Sequence, residues 1–127
     1  MNLTILDPVF SVLKLPQAAT VPPWALNCHL FSITRTDEEL SIVCPASCLT
    51  VDELFEDLET GWKCLKVEGV LAFSLTGILS SLAKPLAEHD ISIFAVSTYK
   101  TDCLLVKSLS IEKAKAVLEQ EGHTFTS

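Results

Sequence analysis

At 127 residues the chain can bury one good core or two small fused ones. Sixteen acidic residues against nine Lys and Arg leave a formal charge of −7, which works against nucleic acid as a partner, because phosphate contacts need clustered cations. Mean hydropathy is +0.41, yet no run approaches the roughly 18 uncharged apolar residues of a membrane span.

The opening MNLTILDPVF lacks the basic-then-apolar order of a signal peptide, so a cytoplasmic protein is expected. Phe10–Leu15 reads as a first strand, and the prolines of Pro16–Pro23 exclude a regular long helix after it. Asn27–Thr34 reads as a second strand and Glu39–Cys44 as a third, with Thr36, Asp37 and Glu38 turning between them. Thr50 and Glu53 have capping-box spacing. Val51, Leu54, Phe55 and Leu58 come next at helical spacing, and Gly61 is a fitting stop, so a short helix is expected there.

Trp62–Val67 reads as the strand that opens the second half. A helix is expected from Thr76–Gly77, with Ile78, Leu79, Leu82 and Leu86 on one stripe, Thr76 as N-cap and a bend at Pro85. The chain then reverses over Glu88–Asp90 into a strand from Ile91 to about Tyr99. Ile91, Ile93 and Ala95 face one side of that strand and Phe94 and Val96 the other, so the sheet is expected to be covered on both faces. Cys103–Lys107 makes another strand, and Ile111, Ala114, Val117 and Leu118 mark a last helix closed by Gly122. This order belongs to the ferredoxin-like, α+β group of folds.

The first half echoes the second. TRTDEELSIV (Thr34–Val43) resembles TYKTDCLLV (Thr98–Val106), with the Thr-Asp pairs 65 residues apart (102 − 37). The first half is shorter between its first strand and this pair, and the deficit falls where the prolines sit. Two units are therefore expected, residues 1–61 with a reduced first helix and residues 62–127 complete, packed as a pseudo-dimer.

Five cysteines, Cys28, Cys44, Cys48, Cys64 and Cys103, are scattered without a CxxC pair, and they read as reduced thiols in plain cores. Cys44 and Cys48 are four apart and His29 adjoins Cys28, but this spacing makes no metal site, and none is expected. No GxSxG, P-loop, GxGxxG or HExxH sequence occurs, and no other cofactor is expected. His29, His89 and His123 have no neighbouring nucleophile or carboxylate pair and read as surface or edge residues.

The ordered set TGI, PLAE, ISIFAVSTY and TD within Trp62–Gly122 resembles the ACT domains of the CASTOR and aspartate-kinase type. The whole chain looks most like small bacterial-type tandem proteins that fuse one full and one shortened ACT unit. The resemblance implies a non-catalytic regulatory or sensor protein that binds an amino acid between ACT units. It implies a ligand loop at Leu75, Thr76, Gly77, Ile78 and Leu79 and a second segment at Thr98, Tyr99 and Asp102. The arginine sensors carry an acidic residue in that loop where this chain has Leu75, so the resemblance leaves the amino acid open.

Elementary chemistry agrees. Amides at a helix N-terminus favour a carboxylate, Gly77 permits close approach to the backbone, and Asp102 can accept from an ammonium or guanidinium. The residues also have plainer uses: Thr76 as a cap, Asp102 as a turn residue, and Leu75, Ile78 and Leu79 as core. A ligand-free ACT module that pairs with a partner protein or a second copy is the alternative function. A homodimer and a compact pseudo-dimeric monomer are the expected assemblies.

Overall fold

The computed structural model describes residues 1–49, 55, 57–69 and 77–126. Among them are seven strands, β1 (Asn2–Leu15), β2 (Ser32–Arg35), β3 (Leu40–Pro45), β4 (Asp57–Val67), β5 (Ile93–Ser97), β6 (Asp102–Lys107) and β7 (Thr124–Thr126). Two α-helices, α1 (Ile78–Glu88) and α2 (Ile111–Gln120), stand among them. Two compact units result, one formed by Met1–Asp7 with Trp62–Ser127 and the other by Pro8–Gly61. Both β1 and β4 cross from one unit to the other. They do so beside residues that suit a regular strand poorly: Pro8, which lacks an N–H, and Gly61, whose φ is +84°.

In the first of these units the order β4–α1–β5–β6–α2–β7 is the βαββαβ order of an α+β ferredoxin-like fold. β6 pairs antiparallel with β4, Leu104 opposite Leu65, and with β5, Leu104 opposite Ala95. The start of β1 lies beside β4, where Glu68 donates its amide to the Asn2 carbonyl at 2.9 Å and Lys63 Nζ reaches the Asp7 carbonyl at 2.7 Å. β7 pairs parallel with Asn2, Leu3 and Thr4. The first residues of the chain thus form a strand interposed between β4 and β7, where the sequence pattern shows none. Leu3 is buried, in one core with Leu65, Leu82, Leu86, Leu104 and Leu118.

The expected α1 stripe is the buried face: Leu82 and Leu86 are enclosed, and Ile78 and Leu79 pack against the same core. The helix continues through Pro85, which is buried. It ends where Ile91 N–H donates to the Leu86 carbonyl at 2.9 Å and Asp90 N–H donates to Ala87 at 3.1 Å, with Asp90 at φ +59°. α2 ends the same way, with His123 N–H on Leu118 and Gly122 at φ +94°. The carbonyl of Ser81, which Pro85 cannot serve for want of an N–H, lies 3.3 Å from His123 Nε2. That nitrogen therefore carries the proton, and Nδ1 accepts from the Met1 amine at 3.2 Å. His123 is buried, not the surface residue expected from sequence. His29 and His89 are exposed.

Several expectations are corrected. Coverage on both faces holds for β6, whose Cys103, Leu104, Leu105 and Val106 are all buried. It fails for β5, an edge strand with Ala95 and Ser97 exposed. Leu58 and Gly61 lie within β4 and not in a helix, so the extended backbone has already begun by Asp57; Thr50–Glu53 lie outside the described residues.

In the unit Pro8–Gly61, β3 pairs with β1 and β2, and the expected second strand shrinks to Ser32–Arg35. Pro23–Asn27 is instead a 3-10 turn with Pro at its start, and it buries Ala25. The core here is Leu13, Ala25, Cys28, Ile42 and Cys44, with Trp24 edge-on to Phe55 at 6.0 Å. Cys28 and Cys48 form a disulfide across Cα atoms 6.4 Å apart, so these two are not the free thiols expected. Short 3-10 turns over Pro23–Asn27 and Ala46–Cys48 bring together two cysteines that sequence separates by 20 residues. Cys44, Cys64 and Cys103 are free and buried, and burial pushes the Cys44 thiol up to about 11.

Candidate functional site

Gly77 sits just ahead of α1 in the left-handed region at φ +81°, a conformation that only glycine adopts without strain. Its carbonyl accepts the first helical bond, from Ser81 N–H at 2.8 Å. The amides of Ile78, Leu79 and Ser80 consequently have no partner within the helix. Gly77 brings no side chain to cap them, so this end of α1 presents polarised donors suited to a carboxylate. The side chains of Ile78 and Leu79 pack against the core and are partly buried. Leu75 and Thr76 lie outside the described residues.

The second segment is the turn between β5 and β6. Thr98 N–H donates to the Thr101 carbonyl at 2.8 Å, and Thr98 Oγ1 accepts the Thr101 amide at 3.2 Å. Thr101 Oγ1, which no sequence motif marks, donates to the Val67 carbonyl at 2.9 Å and fastens the turn to the end of β4. Tyr99 is 75% exposed. Asp102 is half-buried at the first position of β6, opposite Ser97.

α1 and β5 run in opposite senses about the tight reversal at Asp90, and each is about 16–17 Å long by its rise per residue. The end of β5 therefore returns to the level of Gly77. Topology brings the two segments to one end of the unit, although among the described residues no hydrogen bond joins Gly77, Ile78 or Leu79 to Thr98 or Asp102.

The turn between β2 and β3 has the same construction. Thr36 N–H donates to the Glu39 carbonyl at 2.9 Å, and Thr36 Oγ1 accepts the Glu39 amide at 3.1 Å. Thr36 thus matches Thr98 at an offset of 62 (98 − 36), and Arg35 opposite Leu40 matches Ser97 opposite Asp102. The two hairpin turns repeat each other, in a register that differs from the one read through the Thr-Asp pairs. Asp37 lies inside its turn, and the counterpart of Asp102 is Leu40. The turn itself has no need of an acid at that position.

Among the described residues no group of three His, Cys, Asp or Glu is placed to hold a metal ion, and no helix is long and apolar enough to cross a membrane.

A family model described as an ACT domain matches residues 57–120, and a second model, described as an N-terminal domain, matches residues 9–52. The human protein named cytosolic arginine sensor for mTORC1 subunit 1 is 30% identical over 122 residues, 90% of this chain and 35% of its own length. The chain therefore spans about a third of the length of that curated relative. A human putative protein, CASTOR3P, is 35% identical over 90 residues, 63% of this chain and 55% of its own length. The crystal structure of protein Atu0741 from Agrobacterium tumefaciens superimposes with a TM-score of 0.89 at 39% identity, covering 98% of this chain and 91% of that one. The regulatory subunit of aspartate kinase from Thermus thermophilus gives a TM-score of 0.62 at 8% identity, over 91% and 93% of the two chains, a likeness of fold.

Proposed function

The chain belongs to the ACT-domain family, and from that premise we propose that it is a non-catalytic, cytoplasmic regulatory module that binds a free amino acid. The observation that carries this reading is the pairing of opposite preferences at one end of the βαββαβ unit. The amides of Ile78, Leu79 and Ser80, uncapped among the described residues, suit the ligand's carboxylate, and Asp102, an acid that its turn does not require, suits its ammonium. Leu75 and Thr76 complete the loop, and Thr98 and Tyr99 flank the ligand. The human arginine sensor reported above supports the class of ligand; the particular amino acid depends on the loop of this chain.

The same groups are poorly equipped for a reaction. Thr98, Tyr99 and Asp102 offer one carboxylate and no histidine beside it, whereas proton transfer needs an acid or base held within reach of the substrate. The bound amino acid is therefore returned unchanged, which mass spectrometry after prolonged incubation checks.

The ligand reading is tested by thermal shift against the twenty amino acids, since a ligand that binds only the folded state raises its stability. Asp102→Asn should leave the unliganded melting temperature in place. It should weaken the amino acid by about tenfold or more, because charge-assisted bonds are worth about 1.5–3 kcal/mol. Equal binding by the variant and the parent would remove Asp102 from the site. A ligand-free pairing module is the second reading, favoured by β5, whose partly exposed Ile93, Phe94 and Val96 stand on an edge with no further strand beside it among the described residues.

A further inference from the structure

One face of α1 is polar along its length, Gly77, Ser80, Lys84 and Glu88 succeeding one another at helical spacing. Together with Glu121 and His123, from the turn after α2, this face lines a groove of about 460 Å³, which is the size of a small-molecule site. Its floor is Pro85 and the buried imidazole of His123, held at the Ser81 carbonyl by the Nε2 bond. The rim carries opposite charges that do not neutralise each other. Among the described residues Lys84, Glu88 and Glu121 form no ion pair, and the Ser80 hydroxyl has no hydrogen bond. Lys84 and Glu88 are four apart with the cation first, the weaker orientation for a helical pair. An unpaired cation and two unpaired carboxylates around one concavity are complementary to a molecule that carries both signs.

The geometry points to a second small-ligand site: the groove between α1 and the α2–β7 turn takes a zwitterion of the α-amino-acid class, its carboxylate at Lys84 and its ammonium at Glu88 and Glu121. Ser80 supplies a neutral hydrogen-bonding group to the carboxylate end. One cation against two carboxylates leaves a negative charge in excess, so acidic side chains on the ligand are disfavoured. This site goes beyond the one at Gly77–Leu79 and Asp102. It uses the flank of α1 and the α2–β7 turn, not the turn between β5 and β6; the two sites meet at Gly77 and Ser80, and Lys84, Glu121 and His123 belong to this one alone.

Amide chemical shifts of the 15N-labelled chain, titrated with each of the twenty L-amino acids in turn, locate binding directly. At least one amino acid should saturably shift the amides of Ser81, Lys84, Glu121 and His123. Its Kd should weaken about tenfold or more in Lys84→Gln and in Glu121→Gln, and stay unchanged in Asp102→Asn. The N-acetylated and the amidated forms of that amino acid, each lacking one charge, should both bind more weakly. All three substitutions are at solvent-facing or half-buried positions, and dispersed spectra of the variants confirm folding before any comparison. Saturable shifts confined to Gly77–Ser80 and Thr98–Asp102 and lost in Asp102→Asn would support the first site and overturn this one. No saturable shift at the groove with any of the twenty, or groove binding indifferent to Lys84 and Glu121, would overturn it as well.

Discussion

Hairpin β2–β3 turns over residues 36–39 and hairpin β5–β6 over residues 98–101, and a threonine ties each turn with the same pair of bonds to the residue three places on. The strands that leave the two turns begin differently. Leu40 opens β3 and is fully buried, while Asp102 opens β6 and is half-buried. A turn chemistry that serves equally well before a leucine does not explain an aspartate. The hairpin's own needs are therefore met without an acid, and Asp102 is left over. The surroundings differ too. β6 lies in a core with Leu82 and Leu86 of α1 and Leu118 of α2, whereas the core of the other unit is completed by 3-10 turns, a disulfide and the Trp24–Phe55 pair.

The largest expected effect tests whether the two hairpins are equals as core elements. Ile42 and Leu104 occupy matching positions at the offset of 62 (104 − 42), and both are completely buried. Replacing either with Ala should cost about 2–5 kcal/mol, the usual range for truncating an enclosed aliphatic side chain. Urea denaturation of each variant measures it. A loss below about 1 kcal/mol at Ile42 would break the equivalence and make the first hairpin a surface feature.

The parts of the fold legible in sequence are those with a period. The stripe Ile78, Leu79, Leu82, Leu86 marks α1, and Ile111, Ala114, Val117, Leu118 marks α2, because burial on one face imposes a helical spacing that needs no tertiary knowledge. The strand Asn2–Asp7 is hidden because Asp7 and Pro8 read as a break, and only its position between β4 and β7 makes it a strand. Likewise β7 is three residues long, too short to show alternation. His123 looks like a tail residue after Gly122, and its burial comes from a helix-ending geometry that turns the next residue inward. At the candidate site Gly77 is legible as a special backbone position. The separation of Asp102 from its turn is not, because matching Thr-Asp pairs suggest a register three residues off for Asp37.

An effect of intermediate size sharpens the difference in surroundings. Among the described residues only the unit of β5–β6 contains a helix with a proline inside it, and His123 replaces the donor that Pro85 lacks. His123→Ala should cost about 1–3 kcal/mol, through the loss of that bond and the carbonyl left unserved. In a Pro85→Ala background the residue at 85 regains an N–H for Ser81, so the same His123→Ala change should cost less. The coupling in this double-mutant cycle is the quantity to measure. Strict additivity would mean that His123 matters for its packing and not for the carbonyl.

The smallest effect bears on the turns themselves. Thr36 Oγ1 accepts from the amides of both Glu38 and Glu39 at 3.1 Å, while Thr98 Oγ1 accepts from Thr101 alone at 3.2 Å. Both turns are exposed, so water can take over from a lost hydroxyl, and each bond is worth only about 0.5–1.5 kcal/mol. Thr36→Ala should therefore destabilise more than Thr98→Ala, by a margin of a few tenths of a kcal/mol, and Thr→Ser at either position should restore most of the loss. Chemical denaturation of the four variants under one buffer resolves the order. The ligand should feel Thr98→Ala as well. If the turn serves mainly to hold Asp102 at the start of β6, loosening it should weaken amino-acid binding more than it weakens the fold. Thr36→Ala, which adjoins no acid at the start of its strand, should leave binding alone. A Thr36 variant that lost binding as fully as the Thr98 variant would show that the two hairpins are not distinguished by Asp102 after all.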